Sequence, residues 1–370
     1  METSAPPGNI LVIQLGDIGD VVLSTPTFRA FRETYPDARV SVLVRRGYGS
    51  LLQGDPHLFE VLEVTKTRSK FLEALENFRL AGRLRRARYD LVFDLRTGDR
   101  GAILAFLSRA PVKVAFGGAG AFWRRYVFTR MIRQDELRVA PPPAHPGADQ
   151  SLRLVAPIGV GTPDSRPKLY VTEQSAASVC RLLAAEGLPG DARFITVNPF
   201  SRWKYKEWGY GKWVEVLDGV RDRYGLPALV VGAKEEAEAA AGIADRCKPG
   251  ARSVAGKTTL GELAALLSRS SLHMGVDSAA PHIAYAVGAP SVTIFGPSDW
   301  RGWTIPDATH RVVYPDDPCV PCHKKGCDHS EVSLCLDNME TGEVIREVEE
   351  VLKASGTEAV RGGGDSPRGR

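Results

Sequence analysis

No apolar run in this chain of 370 residues approaches the roughly 20 residues that a bilayer-spanning helix needs. Met1 to Asn9 carries neither a basic stretch nor an apolar core, so no secretory leader is expected and the protein is expected in the cytoplasm. An excess of one charge is missing too. The 48 Lys and Arg against 44 Asp and Glu leave a net charge of +4, too mild to argue for nucleic acid as a partner. Cysteine is scarce at six residues, which in a reducing compartment excludes a disulfide scaffold. The dinucleotide fingerprint G-x-G-x-x-G is absent after the first strand. Its place is taken by Leu15-Gly16-Asp17-Ile18-Gly19-Asp20, whose glycines are spaced differently and whose carboxylates repel a pyrophosphate.

What is there is ordinary for a soluble globular protein, 43% hydrophobic and 25% charged. The length suits two domains of roughly 150–200 residues each. Ile10–Leu15, Val40–Val44, Val61–Val64, Leu91–Leu95 and Val112–Ala115 read as strands rich in branched residues, with helical patterns such as Pro26–Thr34 and Phe71–Arg88 between them. That alternation predicts a parallel sheet covered by helices on both faces. Pro141-Pro142-Pro143 interrupts it, and a helical stretch near Gln150–Ala156 leads to Pro157. The second half repeats the theme: strands at Phe194–Val197, Ala228–Val231, Leu272–Val276 and Ser291–Ile294, and helices at Trp213–Arg223, Glu235–Arg246, Leu260–Ser268 and Gly342–Ala354. The division expected is 9–165, 166–355 and a disordered tail over 356–370.

Two loops carry the chemistry. A carboxylate at Asp20, on a tight turn from strand to helix, sits where α/β folds bind ligands and suits proton abstraction. The plain alternative is that Asp20 caps the next helix, and Asp17 competes with it for either role. The second loop, Asp277-Ser278-Ala279-Ala280-Pro281-His282, has the opposite character. Ser278 and the amides that follow can bond phosphate oxygens at a positive helix end, with His282 one turn on. The plain alternative for His282 is a satisfied buried histidine. Between the two loops lies Ser201-Arg202-Trp203-Lys204-Tyr205-Lys206, where either lysine offers a point charge to phosphate. Glu236 follows another strand and either binds ribose hydroxyls or starts a helix.

Arginines crowd the first third of the chain, including Arg45, Arg68, Arg96, Arg100, Arg124 and Arg125. They read as solvated helix faces or as a surface for anionic lipid or a phosphorylated acceptor. Cys319, Cys322, Cys327 and Cys335 form C-x2-C-x4-C-x7-C, a set able to supply the four ligands of a structural zinc, though its spacing is not that of the common paired knuckles.

These pieces together resemble glycosyltransferase family 9, the ADP-heptose:lipopolysaccharide heptosyltransferases. The resemblance runs over most of residues 9–350. It is carried by Gly19-Asp20-Val21-Val22-Leu23-Ser24-Thr25-Pro26, Tyr35-Pro36-Asp37-Ala38, Asp90-Leu91-Val92-Phe93-Asp94-Leu95, Lys206-Glu207-Trp208, Gly232 to Glu236, Asp277 to His282 and Phe295-Gly296-Pro297. The Cys319–Cys335 segment is similar to one in second-heptose transferases of the family. The resemblance implies a GT-B fold, two facing Rossmann-like domains with the acceptor on the first and the nucleotide sugar on the second. It implies inverting transfer of heptose from ADP-heptose to the lipopolysaccharide core, with no cofactor required. Asp20 would then be the base, Lys206, Ser278, Ala279 and His282 would hold the diphosphate, Glu236 the ribose and Asp277 the sugar, with Arg96 and Arg100 facing the acceptor. Peripheral contact with the inner membrane goes with that reading. Two rival readings are a nucleotide-sugar epimerase of the same architecture and a non-catalytic metal- or lipid-binding protein.

Overall fold

The computed structural model describes residues 6–65, 70–117, 122–133, 136 and 145–359. Arg68 and the Pro141-Pro142-Pro143 break lie outside the described residues. The amino-terminal lobe is built on β1 (Asn9–Gln14), β2 (Arg39–Arg45), β3 (Glu60–Val64), β4 (Leu91–Asp94), β5 (Val112–Phe116) and β6 (Arg130–Ile132). These form one parallel sheet in the order β3-β2-β1-β4-β5-β6. The second lobe repeats it with β7 (Ile195–Asn198), β8 (Ala228–Val230), β9 (Ala251–Ser253), β10 (Leu272–Val276), β11 (Ser291–Ile294) and β12 (His310–Val313), in the order β12-β11-β10-β7-β8-β9.

A strand covered on both faces must be apolar on both. Ile10, Leu11, Val12 and Ile13 of β1 are all fully buried, as a central parallel strand requires. Ile10 and Val12 pack on one side with Phe28 and Phe31 of the helix Thr25–Thr34. Leu11 and Ile13 pack on the other with Leu84 of the helix Lys70–Arg86 and Ala102 of the helix Asp99–Ser108.

Each sheet reverses its winding once, between β1 and β4 in the first and between β7 and β10 in the second. At such a reversal the flanking connections leave in opposite directions and open a crevice at the carboxyl ends of the strands. The Asp20 turn follows β1, and the segments after β7 and β10 carry Lys206 and Asp277 to His282. Topology alone therefore puts the singled-out loops at the two crevices. The carboxy-terminal helix Thr341–Ala354 packs on the second lobe, and the ordered chain continues past Gly356, where the tail was expected to begin. Thr357 is buried, accepts from the Arg193 guanidinium and donates its N–H to the Leu352 carbonyl at 2.8 Å.

Candidate active site

The Gly16–Asp20 turn is shaped around one carboxylate. Asp17, not Asp20, is the residue that precedes the helix Ile18–Leu23; Asp20 lies in its first turn and reaches back. Asp20 Oδ2 accepts the Asp17 N–H at 2.8 Å, and Oδ1 accepts from Arg96 Nη1 at 3.0 Å. A Cβ on Gly16 would stand 2.4 Å from Asp20 Oδ2, so only glycine lets the carboxylate fold back over the strand end. The Asp20 side chain keeps 18% of its surface exposed, whereas Asp17 keeps 57% and faces outward to Arg45 and Arg202. Of the two carboxylates, Asp20 is held inside the turn and Asp17 faces outward.

The second lobe supplies the cations and amides. Lys206 Nζ donates to Asp277 Oδ2 at 2.6 Å, and Asp277 is buried. Lys204, two residues earlier, turns the other way and pairs with Glu207 at 2.7 Å. Of the two lysines left open in the sequence, Lys206 is the one beside the Asp277–His282 turn. Ser278 precedes the helix Ala279–Ala286, and its hydroxyl is buried with no hydrogen-bond partner among the described residues. A buried hydroxyl left unpaired is costly unless a ligand completes it. The Ala279 and Ala280 amides belong to the first turn, where no carbonyl of the helix precedes them, and Pro281 has no N–H to offer. A narrow crevice between the helix Ala279–Ala286 and the strands β11 and β12 is lined by Asp277, Ser278, Pro281, His282, Tyr285 and Phe295, among others.

The two loops meet. A Cβ on Gly19 would stand 3.2 Å from His282 Cδ2, which places the Asp20 turn against the Ser278–His282 turn across the gap between lobes. Burial pushes the His282 imidazole below its ordinary range and the Lys206 ammonium acts in the same direction, while Asp277 and Asp20 pull it upward. One imidazole thus feels both carboxylates and the lysine. Asp17 bridges the lobes as well, accepting from Arg45 Nη1 at 2.9 Å and from Arg202 Nη1 at 3.1 Å.

Glu236 sits apart from this cluster, beside Lys204 and Tyr210, whose ionisation it influences. Its Oε2 accepts the Ala233 N–H at 2.6 Å. Arg100 lies in the first turn of the helix Asp99–Ser108 and donates to the Thr65 carbonyl at 2.6 Å.

A buried pair beneath Arg96 was not singled out from sequence. Arg124 is 2% exposed and Asp94 fully buried, with Arg124 Nη2 3.3 Å from Asp94 Oδ2. The same guanidinium donates to the Gly98 carbonyl at 2.9 Å and the Arg96 carbonyl at 3.3 Å, and Asp94 Oδ1 accepts the Arg96 N–H at 3.2 Å. Burial pushes the Asp94 carboxyl up to about 7, against the pull of the Arg96 N–H and of Arg124. Asp94 and Arg124 were both visible, one inside a strand motif and one in the arginine-rich third, but no pattern linked residues thirty positions apart.

Cys335 is buried, and burial pushes its thiol up to about 11, with Asp317, Cys319 and Cys327 near enough to act in the same direction. The donor chemistry suits zinc. Among the described residues, however, no group of three or more His, Cys, Asp or Glu side chains is arranged to hold a metal ion, so the four cysteines are not a ready-made tetrahedral site.

Residues 77–333 match the model of glycosyltransferase family 9 (heptosyltransferase). Lipopolysaccharide heptosyltransferase 3 of Escherichia coli is 30% identical over 296 residues, covering 77% of this chain and 84% of that protein. A glycosyl transferase family 9 structure from Veillonella parvula DSM 2008 superposes with a TM-score of 0.78 at 21% identity, covering 94% of this chain and 97% of that one. The structure of E. coli ADP-heptose lps heptosyltransferase II gives 0.71 at 20% identity, covering 93% of this chain and 98% of that one. The GT-B fold expected from the sequence is the fold observed.

Proposed function

The chain belongs to glycosyltransferase family 9, the heptosyltransferases, and on that premise we propose that it moves heptose, with inversion, from ADP-heptose to a hydroxyl of the lipopolysaccharide inner core. It is a glycosyltransferase, which removes the epimerase and the non-catalytic binding protein as rivals. The observation that carries the donor and acceptor reading is the contact of opposite chemistries: a held carboxylate at Asp20 against a turn that offers an unpaired hydroxyl, open amides and a lysine.

In this reading the acceptor oxygen attacks the anomeric carbon while its proton passes to the Asp20 carboxylate. The bond from that carbon to the diphosphate oxygen breaks, and its electron pair leaves with ADP. Lys206, the Ser278 hydroxyl, the Ala279 and Ala280 amides and His282 meet the charge that grows there. The incoming diphosphate competes with Asp277 for Lys206, and Asp277 then turns to the sugar. Glu236 takes the ribose with the carboxylate oxygen not used by Ala233. Arg96 leaves Asp20 for an anionic group of the acceptor, with Arg100 beside it. Residues 9–165 would form the acceptor lobe and 166–355 the donor lobe. Zinc, if bound by Cys319, Cys322, Cys327 and Cys335, would serve the fold and not the transfer, and elemental analysis reads it directly. The enzyme would work in the cytoplasm at the inner face of the inner membrane.

The test is mass spectrometry of a truncated core oligosaccharide incubated with purified protein and a set of nucleotide sugars. Gain of one heptose from ADP-heptose is expected. Asp20→Asn should lower the rate by at least about 100-fold with ADP affinity retained. Transfer of another sugar, or an Asp20→Asn variant of normal rate, refutes the corresponding assignment.

A further inference from the structure

The helices Lys70–Arg86 and Asp99–Ser108 and the turn Phe122–Tyr126 form one layer on one face of the amino-terminal sheet. Their inward side chains, Leu84, Ala102 and Ala105, together with Val127 and Phe128 just after the turn, share a core with Leu11 and Ile13 of β1. The pieces are tied edge to edge. Arg85 Nε donates to the Leu107 carbonyl at 3.3 Å, and Arg124 Nη1 donates to the Gly98 carbonyl at 2.9 Å.

With the inner side of this layer satisfied, its outer side should be polar, and it is not. Phe78 is 75% exposed, Ile103 49%, Phe106 61%, Phe122 66% and Tyr126 71%. Ile103 and Phe106 stand three apart on one helix and so share a face. Phe122 and Tyr126 meet edge to face at 5.8 Å. Scattered single apolar residues on a surface need no explanation, but five in one layer do.

The charge around them is mostly basic, Glu73, Glu76 and Asp99 being the carboxylates within the three elements. Residues 100–117 and 122–133 contain no Asp or Glu. Arg79, Arg86 and Arg109 are exposed on the same layer. The Arg125 guanidinium lies 3.3 Å over the Phe122 ring and donates to the Tyr126 hydroxyl at 2.7 Å. Aromatic rings interleaved with an excess of arginines match the boundary of an anionic bilayer. There the rings enter the headgroup level and the guanidiniums meet lipid phosphates.

The geometry points to this layer as a docking surface for a bilayer containing anionic phospholipid, which rests on the proposed function only for its purpose, bringing the cleft to a membrane-carried acceptor. Binding itself needs no substrate, so it is tested without one. The full-length protein is sedimented with vesicles of phosphatidylethanolamine and phosphatidylglycerol, and in parallel with vesicles of phosphatidylcholine alone. Expected is binding to the anionic vesicles that salt weakens and the neutral vesicles do not reproduce. The double variant Phe106→Ser, Phe122→Ser should partition at least about tenfold less. Its folding is checked by near-ultraviolet circular dichroism, and its transfer to a water-soluble oligosaccharide should be unchanged. Should that variant misfold, Arg109→Glu with Arg125→Glu puts the same question through charge and should also lose binding. The proposal is overturned if the wild type stays in the supernatant, binds neutral vesicles equally, or if folded variants bind like the wild type. Loss of the transfer reaction with intact vesicle binding would instead count against the proposed function.

Discussion

Lys204 and Lys206 lie on one short turn, yet their ammonium groups face different partners, Glu207 for the first and Asp277 for the second. A lysine next to the unpaired Ser278 hydroxyl and the helix end can trade a carboxylate for a diphosphate; one held by Glu207 cannot do so without turning away. Glu207 has other work, accepting the Ser201 N–H at 3.0 Å and the Tyr210 hydroxyl at 3.0 Å. Lys206→Ala should therefore weaken ADP binding by roughly 10- to 100-fold, the worth of a hydrogen bond to a charged group. Lys204→Ala should change it by far less. Calorimetric titration of ADP into both variants, each checked for its melting temperature, decides the matter. Equal losses would mean that the turn, and not the individual ammonium, makes the site.

The loop after β4 is an element shaped from below. Asp94 and Arg124 hold the backbone at Arg96 and Gly98, and Arg96 then reaches Asp20. Removing one member strands the other. Arg124→Leu should cost about 3–5 kcal/mol in denaturant unfolding, because it leaves a fully buried carboxyl without its guanidinium, with the Arg96 N–H still donating to it. Adding Asp94→Asn should recover part of that loss; additive losses would show that the pair is not coupled. The sequence showed the elements around this loop more readily than the loop's own support. β10 (Leu272–Val276) and β11 (Ser291–Ile294) were legible to the residue from their branched and apolar residues between turn signals, although His273, Ser291 and Thr293 are buried among them. β6, β9 and β12 were not seen. They are edge strands paired on one side only, and residues such as Arg130, Arg252 and Arg311 hide any apolar run. The helix Glu173–Ala185 was missed because small side chains dominate it and only Val179 and Leu183 are buried. Asp20 and the Asp277–His282 turn were legible as punctuated strand ends. The Asp94–Arg124 pair was not, because a contact between residues far apart in sequence leaves no local pattern.

Across the whole molecule, burial holds two histidines neutral, His145 where the lobes meet and His273 inside the second sheet. The His145 ring packs 5.1 Å from Tyr285 of the helix Ala279–Ala286, and its Nδ1 accepts the Gly147 N–H at 3.2 Å. Burial pushes His145 down to about 4, and the neighbouring His282 adds to the shift. His273, fully buried in β10, is pushed down to about 3 by burial. The unfolded chain protonates these rings near their ordinary value of about 6.5, whereas the folded protein resists until about pH 4 or below. Between those limits the unfolded state binds more protons, so stability rises with pH there and falls as pH drops from about 6.5 toward 4. Asp94 acts in the opposite sense: its folded carboxyl, pushed up to about 7, takes a proton before the unfolded one does. The two histidines therefore oppose the one carboxyl, and His282 and His310, also lowered by burial, act in the histidines' sense. His145→Asn removes one of the histidine titrations. Its denaturant midpoint should consequently fall less between about pH 7 and pH 4.5 than that of the wild type. Parallel curves for the two proteins would show that the ring between the lobes carries no linked proton.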